Sequence, residues 1–150
     1  MKRTTWCVLV VWIVACLGAV AVAGDEADSK SIEQAVTNYV TSIYEMKPEL
    51  VDESVHPKLQ KLGYMPADDG SGWNESWMNH AELRDLAATL NKDKMFDPET
   101  APLEIEIVDH TALIASVKLT AAWGIDYIHL VNVDGKWMIV NVVWQMAAHE

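Results

Sequence analysis

The chain has 150 residues, 51% of them hydrophobic, and carries 22 acidic against 11 basic side chains for a formal net charge of −11. A field of that sign repels phosphate backbones and anionic headgroups, so nucleic acid and membrane surfaces are poor partners, and the plainest role of the charge is solubility. Both cysteines, Cys7 and Cys16, fall near the start, so the rest of the chain has no thiol for a disulfide, a thiolate nucleophile or a cysteine-bound metal.

Lys2 and Arg3 precede an apolar run over residues 6–20, and Ala21-Val22-Ala23 stands ahead of Gly24-Asp25-Glu26. Small residues at the −3 and −1 positions followed by acids predict an export signal over 1–23 with a mature start at Gly24. Two alternatives stay open. Ile13-Val14-Ala15-Cys16 resembles a lipoprotein box that would lipidate Cys16, and the apolar run is just long enough to serve as an uncleaved anchor. All three place the domain on the outer side of the membrane, periplasmic or secreted. Loss of the first 23 residues leaves 127, with 9 basic and 22 acidic side chains and a charge of −13. That length suits one domain.

Residues 24–30 are polar and read as a flexible lead-in to a single domain over 31–147. Ser31 and Gln34 match a capping box. Ile32, Ala35, Val36, Tyr39, Val40, Ile43 and Tyr44 then share one helical face, which predicts a helix over 32–46. Pro48 can open a short second helix that His56-Pro57 stops. Residues 58–78 read as irregular, with Trp73 and Trp77 on a glycine-rich loop. Asn79 and Glu82 cap a third helix striped by Leu83, Leu86, Ala87 and Leu90, and residues 91–102 form a polar crossing.

From Leu103 the period becomes two, and strands are predicted at 103–107, 112–122, 125–133 and 136–145, with turns at Asp109-His110 and Asp134-Gly135. Helices first and an antiparallel sheet last define an α+β fold. Counted back from the Asp134-Gly135 turn, one sheet face carries Asp126, Ile128, Leu130, Asn132, Trp137, Ile139, Asn141 and Val143. The other carries Tyr127, His129, Val131, Met138, Val140, Val142 and Trp144. Both faces are largely apolar and need cover. The helices can cover one, and a second copy of the chain is the simplest cover for the other, which predicts a homodimer through the outer face.

Several segments together resemble the nuclear transport factor 2-like superfamily and, within it, the putative lumazine-binding family. They are Ser42-Ile43-Tyr44, Val55-His56-Pro57, Ile107-Val108-Asp109, Asp126-Tyr127-Ile128-His129-Leu130 and Asp134-Gly135-Lys136-Trp137-Met138-Ile139-Val140. The resemblance implies a cone-shaped fold, a curved sheet wrapped around a helix with a pocket at its mouth, and dimers through the outer sheet face. It implies a flat heteroaromatic ligand only as a hint, because isomerases, cyclases, dehydratases and binding domains share the fold.

Asp126 follows Gly124, a residue that marks a bulge or a close backbone approach. Its carboxylate is suited to hydrogen-bonding a ligand or moving a proton, or else to bonding backbone amides at a strand start. Asn141 interrupts an apolar strand and needs a partner, Asp126 or a ligand. Tyr39, which the family places near the pocket floor, offers a hydroxyl to a ligand or to the core. His56 caps a helix or contacts ligand. Trp73 and Trp77 are either a lid that stacks on a flat ligand or anchors for their loop, and Trp137 is an apolar wall. No nucleophile elbow, phosphate-binding glycine loop or His-x-x-x-His pair is present. Asp68-Asp69-Gly70 matches no calcium loop. No metal and no cofactor are therefore expected. The leading expectation is an exported dimer that binds a small molecule. A cofactor-independent isomerase, cyclase or dehydratase using Asp126 with Tyr39 or His56 is the alternative, and a ligand-free interaction module the third.

Overall fold

The computed structural model describes residues 11–147, with side chains from Asp25 onward. Lys2, Arg3 and Cys7 of the expected targeting segment, and the side chain of Cys16, lie outside the described residues. Among those described, no helix is long and apolar enough to cross a membrane.

Helix α1 (Val11–Tyr44) is longer than expected and runs without a break through residues 24–30, which are helical rather than a flexible lead-in. Ser31 is accordingly not a cap: its hydroxyl donates to the Ala27 carbonyl inside the helix, 2.9 Å away. The predicted stripe holds, with Ile32, Ala35, Val36, Tyr39, Val40 and Ile43 all buried. The helix stops where Met46 turns left-handed (φ 53°) and the Lys47 amide reaches back to the Ser42 carbonyl at 2.9 Å, a closure that satisfies an end carbonyl. Pro48 then opens α2 (Glu49–Ser54). Asn79 and Glu82 exchange side-chain and backbone bonds of 3.1 and 2.8 Å at the start of α3 (His80–Thr89), the capping box read from the sequence. Buried Asn91 organises the crossing that follows, donating to the Tyr44 and Phe96 carbonyls and accepting from the Phe96 amide.

The stretch 58–78 is not irregular. It forms most of β1 (Val55–Pro66) and all of β2 (Trp73–Met78), an antiparallel pair. With β3 (Leu103–His110), β4 (Ile114–Ala121), β5 (Gly124–Val133) and β6 (Lys136–Met146) they make a curved, open six-stranded sheet in the order β2-β1-β6-β5-β4-β3. The sheet is mixed rather than antiparallel throughout, because β1 runs parallel to β6. The β3–β4 turn falls after His110, not at Asp109-His110, whereas Asp134-Gly135 closes β5–β6 as read. The α+β class stands, with the helices gathered on the concave face.

One residue overturns part of the face assignment. Pairing is regular from Val133↔Lys136 to Leu130↔Ile139, but the next pair is His129↔Asn141, which leaves Val140 as an extra residue. Such a bulge moves every later side chain to the opposite face. Val142 and Trp144 are therefore buried inside, while Val143 is exposed and Asn141 turns away from Asp126. The inner face consists of Leu59, Lys61 and Gly63 of β1, Ala115, Val117 and Leu119 of β4, Asp126, Ile128 and Leu130 of β5, and Trp137, Ile139, Val142 and Trp144 of β6.

Candidate functional site

Two charged groups sit in the middle of this apolar face, where burial of an ion is costly unless it is paired. Asp126 is 0% exposed and Lys61 3%, with Lys61 Nζ 3.5 Å from Asp126 Oδ2. The Tyr39 hydroxyl, also 0% exposed, donates to Asp126 Oδ2 at 2.9 Å and accepts from Lys61 Nζ. Trp123 donates its indole N–H to Asp126 Oδ1 at 2.7 Å. The carboxylate thus holds three elements together: α1 through Tyr39, β1 through Lys61, and the β4–β5 turn through Trp123.

Local sequence explains each placement. Asp126 takes an inward position in the alternation of β5, two residues after Gly124. That glycine has φ +142°, and a Cβ there would lie 2.1 Å from the Gln145 carbonyl oxygen, so the close backbone approach read from the sequence is present. Trp123 occupies the tight β4–β5 turn and folds back over the strand it precedes. Its ring stands edge-on to Tyr39 and Tyr44, with centroids 6.1 and 5.5 Å apart, and Phe96 completes the aromatic cluster at 6.2 Å.

Lys61 alternates inward with Leu59 and Gly63. Its ammonium lies 5.2 Å from the Tyr39 ring centre and 5.0 Å from that of Trp144, within reach of cation–π attraction. The Trp144 indole lies against Gly63, its parallel-strand partner, where a Cβ would fall 2.1 Å from Trp144 Nε1. That N–H is buried and has no acceptor among the described residues. Burial pushes the Tyr39 hydroxyl well above its ordinary range, reinforced by the Asp126 charge and hydrogen bond. Burial lowers Lys61, and Asp126 opposes that shift. Tyr39 is therefore held protonated with its proton directed at the carboxylate.

The structure unites two of the expected site residues, Asp126 and Tyr39, and separates the rest. Trp137 faces inward, but at the far end of the sheet, where it donates to Asp28 of α1 at 3.1 Å. Its partner Asn132 lies six positions along β5 from Asp126, about 20 Å of strand. Asn141 lies on the outer side, donating to the Gln60 carbonyl and contacting His129. His56 accepts from the Lys58 amide at the start of β1 and does not reach the centre. Trp73 and Trp77 are not on a loop. They lie on the edge strand β2, on the same side as Tyr64, with Trp77 62% exposed, so they line the outer face and form no lid over Asp126. A surface groove of about 570 Å³ is lined by Tyr64, Ile125, Tyr127 and Val143 of that side and also by Trp144 and Met146. The buried centre, not this groove, concentrates the ionisable chemistry.

Lys61, Gly63, Trp123 and Trp144 were missed. The first two were hidden by reading β1 as loop, although Leu59-x-Lys61-x-Gly63-x-Met65 carries the period-two signal. Trp144 was placed outside for want of the bulge.

A helix held against a curved six-stranded sheet, with its polar centre on the concave face, defines a nuclear transport factor 2-like fold. Solved structures agree. A protein of this fold and of unknown function from Silicibacter pomeroyi superposes with a TM-score of 0.65 at 17% identity, covering 82% of this chain and 98% of its own. Another from Methylobacillus flagellatus gives 0.60 at 21% identity, covering 81% and 93%. A putative scytalone dehydratase from Novosphingobium aromaticivorans gives 0.55 at 14%, covering 85% and 89%. At these identities the likeness establishes the fold alone. No curated protein matches the chain significantly. The chain belongs to the family described as "Putative lumazine-binding", which matches residues 27–145.

Proposed function

We propose that this chain is an exported, homodimeric protein that binds a small, flat heteroaromatic molecule of the lumazine kind on the concave face, beside Lys61 and Trp144. The observation that carries the reading is the closed Lys61–Asp126–Tyr39–Trp123 centre. An ion pair in a core is generally no more stabilising than apolar side chains of the same volume. Fold stability alone is therefore a weak reason for one here, and recognition is a better one. The family description supplies the ligand class, and the ring of Trp144 beside Lys61 is the aromatic surface on which a flat ligand would stack.

Pairing of two copies is supported by the outer face, where Trp77, Leu62, Val143 and Tyr127 form a row across β2, β1, β6 and β5. Contiguous apolar surface of this kind characterises interaction sites. Export rests on the basic, apolar and small-residue pattern of the first 23 residues. The acid–base alternative has less support, since the Tyr39 proton is already directed at Asp126 and both oxygens of Asp126 already accept hydrogen bonds.

Native mass spectrometry on protein purified gently from its exported compartment, followed by titration of its tryptophan fluorescence with lumazine, tests the reading. A dimer carrying a small-molecule mass, with saturable quenching by lumazine, is the expected result. An adduct-free protein whose fluorescence is indifferent to millimolar lumazine would sink it.

A further inference from the structure

Counting donors and acceptors at the buried centre sharpens that reading and rests on it. Asp126 is spent: Oδ1 accepts from Trp123, Oδ2 accepts from Tyr39 and faces Lys61, and no part of the side chain is exposed. Tyr39 both donates and accepts. An ammonium has three N–H donors, and Lys61 directs one at Tyr39 and at most one more at Asp126, 3.5 Å away. At least one is left over. The Trp144 indole N–H, in a residue only 7% exposed, has no acceptor among the described residues. The centre therefore has donors left over at Lys61 and Trp144, whereas each side-chain oxygen in it already accepts a hydrogen bond. A buried donor without a partner is costly, and the surplus is concentrated on two neighbouring side chains.

We infer that Lys61 Nζ and Trp144 Nε1 are the ligand-recognising groups of this site, that the ligand presents acceptor atoms to them, such as the carbonyl oxygens of a ring dione, and that Asp126 is a positioning residue that does not touch the ligand. The next inward positions along β1 and β6 after Gly63 and Trp144 are Met65 and Met146, both partly buried. Unbranched thioether side chains repack readily, and the proposal places the ligand's entry at this end of the concave face. The charged and titratable groups facing Lys61 are Asp126 from β5 and Tyr39 from α1; Trp144 of β6 contributes only its ring and its N–H.

The test uses the full chain with ¹⁵N-labelled tryptophan and two probes of similar outline: lumazine, with two ring carbonyls, and naphthalene, with no acceptor. Lumazine should move the Trp144 indole resonance to the hydrogen-bonded range while naphthalene leaves it unmoved. Trp144→Phe, which keeps a ring and removes the N–H, should weaken lumazine about tenfold, the effect of one hydrogen bond, with naphthalene affinity unchanged. The doubly substituted Lys61→Met/Asp126→Asn chain, which leaves no buried charge, should lose lumazine to the same or a greater extent.

In Asp126→Asn, Lys61 loses the charge that keeps it protonated. Lumazine affinity should then decline with rising pH from a lower pH than in the wild type, a response that a merely structural acid would not give. If lumazine binds but Trp144→Phe and the double variant hold it as tightly as wild type, the donor assignment is overturned and the binding reading survives. If neither probe moves any indole resonance at saturating concentration, both fall together.

Discussion

The two faces of the sheet use the same alternating pattern to opposite ends. On the concave face the period-two positions deliver apolar side chains with an ion pair among them, and four elements converge there: α1 through Tyr39, β1 through Lys61, β5 through Asp126 and β6 through Trp144. On the outer face the intervening positions deliver Trp77, Leu62, Val143 and Tyr127 in a row that no other element among the described residues packs over, with Tyr127 56% exposed. The inner centre is over-determined by contacts, so a change there propagates to the whole fold. The outer row is far more exposed, with Trp77 donating only to its strand neighbour Glu75, so a change there should spare the fold and act chiefly on association. That difference is open to measurement.

The largest effect should come from breaking the inner pair asymmetrically. Asp126→Ala leaves the Lys61 ammonium buried without its counter-charge and Trp123 without its acceptor. A loss of about 3–5 kcal/mol in urea unfolding is expected. Adding Lys61→Met should recover much of that loss, because removing both charges avoids the unpaired ion. If the double variant is as unstable as the single one, the pair is not what Asp126 serves.

Tyr39→Phe comes next. It removes a hydrogen bond to a charged acceptor, for which about 1.5–3 kcal/mol is ordinary. It also has a signature in pH. The folded-state pKa of Tyr39 is raised above 10.0, so above that pH the folded chain binds more protons than the unfolded one, and stability falls as pH rises. Lys61 works the other way: its folded-state pKa is lowered below 10.5, so up to that pH stability climbs as pH rises. Melting temperatures of the wild type should therefore turn down above about pH 10. Tyr39→Phe should lack that part of the alkaline decline while keeping the Lys61 rise. Parallel pH curves for the two proteins would contradict the assignment.

Gly63→Ala probes the same face through packing alone. The new Cβ would meet the Trp144 indole at 2.1 Å from Nε1, with Cε2 and Cζ2 as its next neighbours. The ring must move, at about 1–3 kcal/mol for an overpacked core. The fluorescence contributed by Trp144 should shift with it, and an unchanged spectrum would mean that the indole is not seated on Gly63.

Much of the inner face was legible from residues alone. The α1 stripe, the Asn79–Glu82 cap, the β5–β6 turn and the inward direction of Asp126 all follow from local rules that tertiary context left intact. What failed has identifiable physical causes. The β1–β2 pair was invisible because Pro57, Pro66 and two glycines in Asp68-Asp69-Gly70-Ser71-Gly72 read as loop, and because a lysine at an inward position hides a strand's alternation. Asn141 and Trp144 were assigned to the wrong faces for one reason, the unpaired Val140. A bulge has no reliable mark in a run such as Ile139-Val140-Asn141-Val142-Val143, where either register buries apolar residues. Trp73 and Trp77 were expected over the ligand because tryptophans in a glycine-rich stretch suit a lid, but β2 pairs with β1 in a register that turns both outward.

The smallest effect on stability belongs to the outer row, and it is the one that separates the two faces most cleanly. Tyr127→Glu replaces an exposed ring, bordered by Val143 and Lys118 in the neighbouring strands, with a charge that the isolated chain can solvate freely. Surface substitutions of this kind usually change stability by no more than about 0.5 kcal/mol, so urea unfolding of the monomeric variant should match a wild-type reference at dilutions where pairing is lost. In an isologous dimer, however, the same substitution appears on both copies and places two carboxylates in one interface, where each must lose water and only the Lys118 of its own copy stands beside it. Sedimentation should then show the variant as a monomer at concentrations where the wild type is paired, while lumazine binding at the inner centre of each copy is retained. A variant that still pairs would place the interface elsewhere. A variant that stops binding lumazine when it becomes monomeric would show that the two faces are energetically coupled, with the concave centre complete only when the outer row is covered.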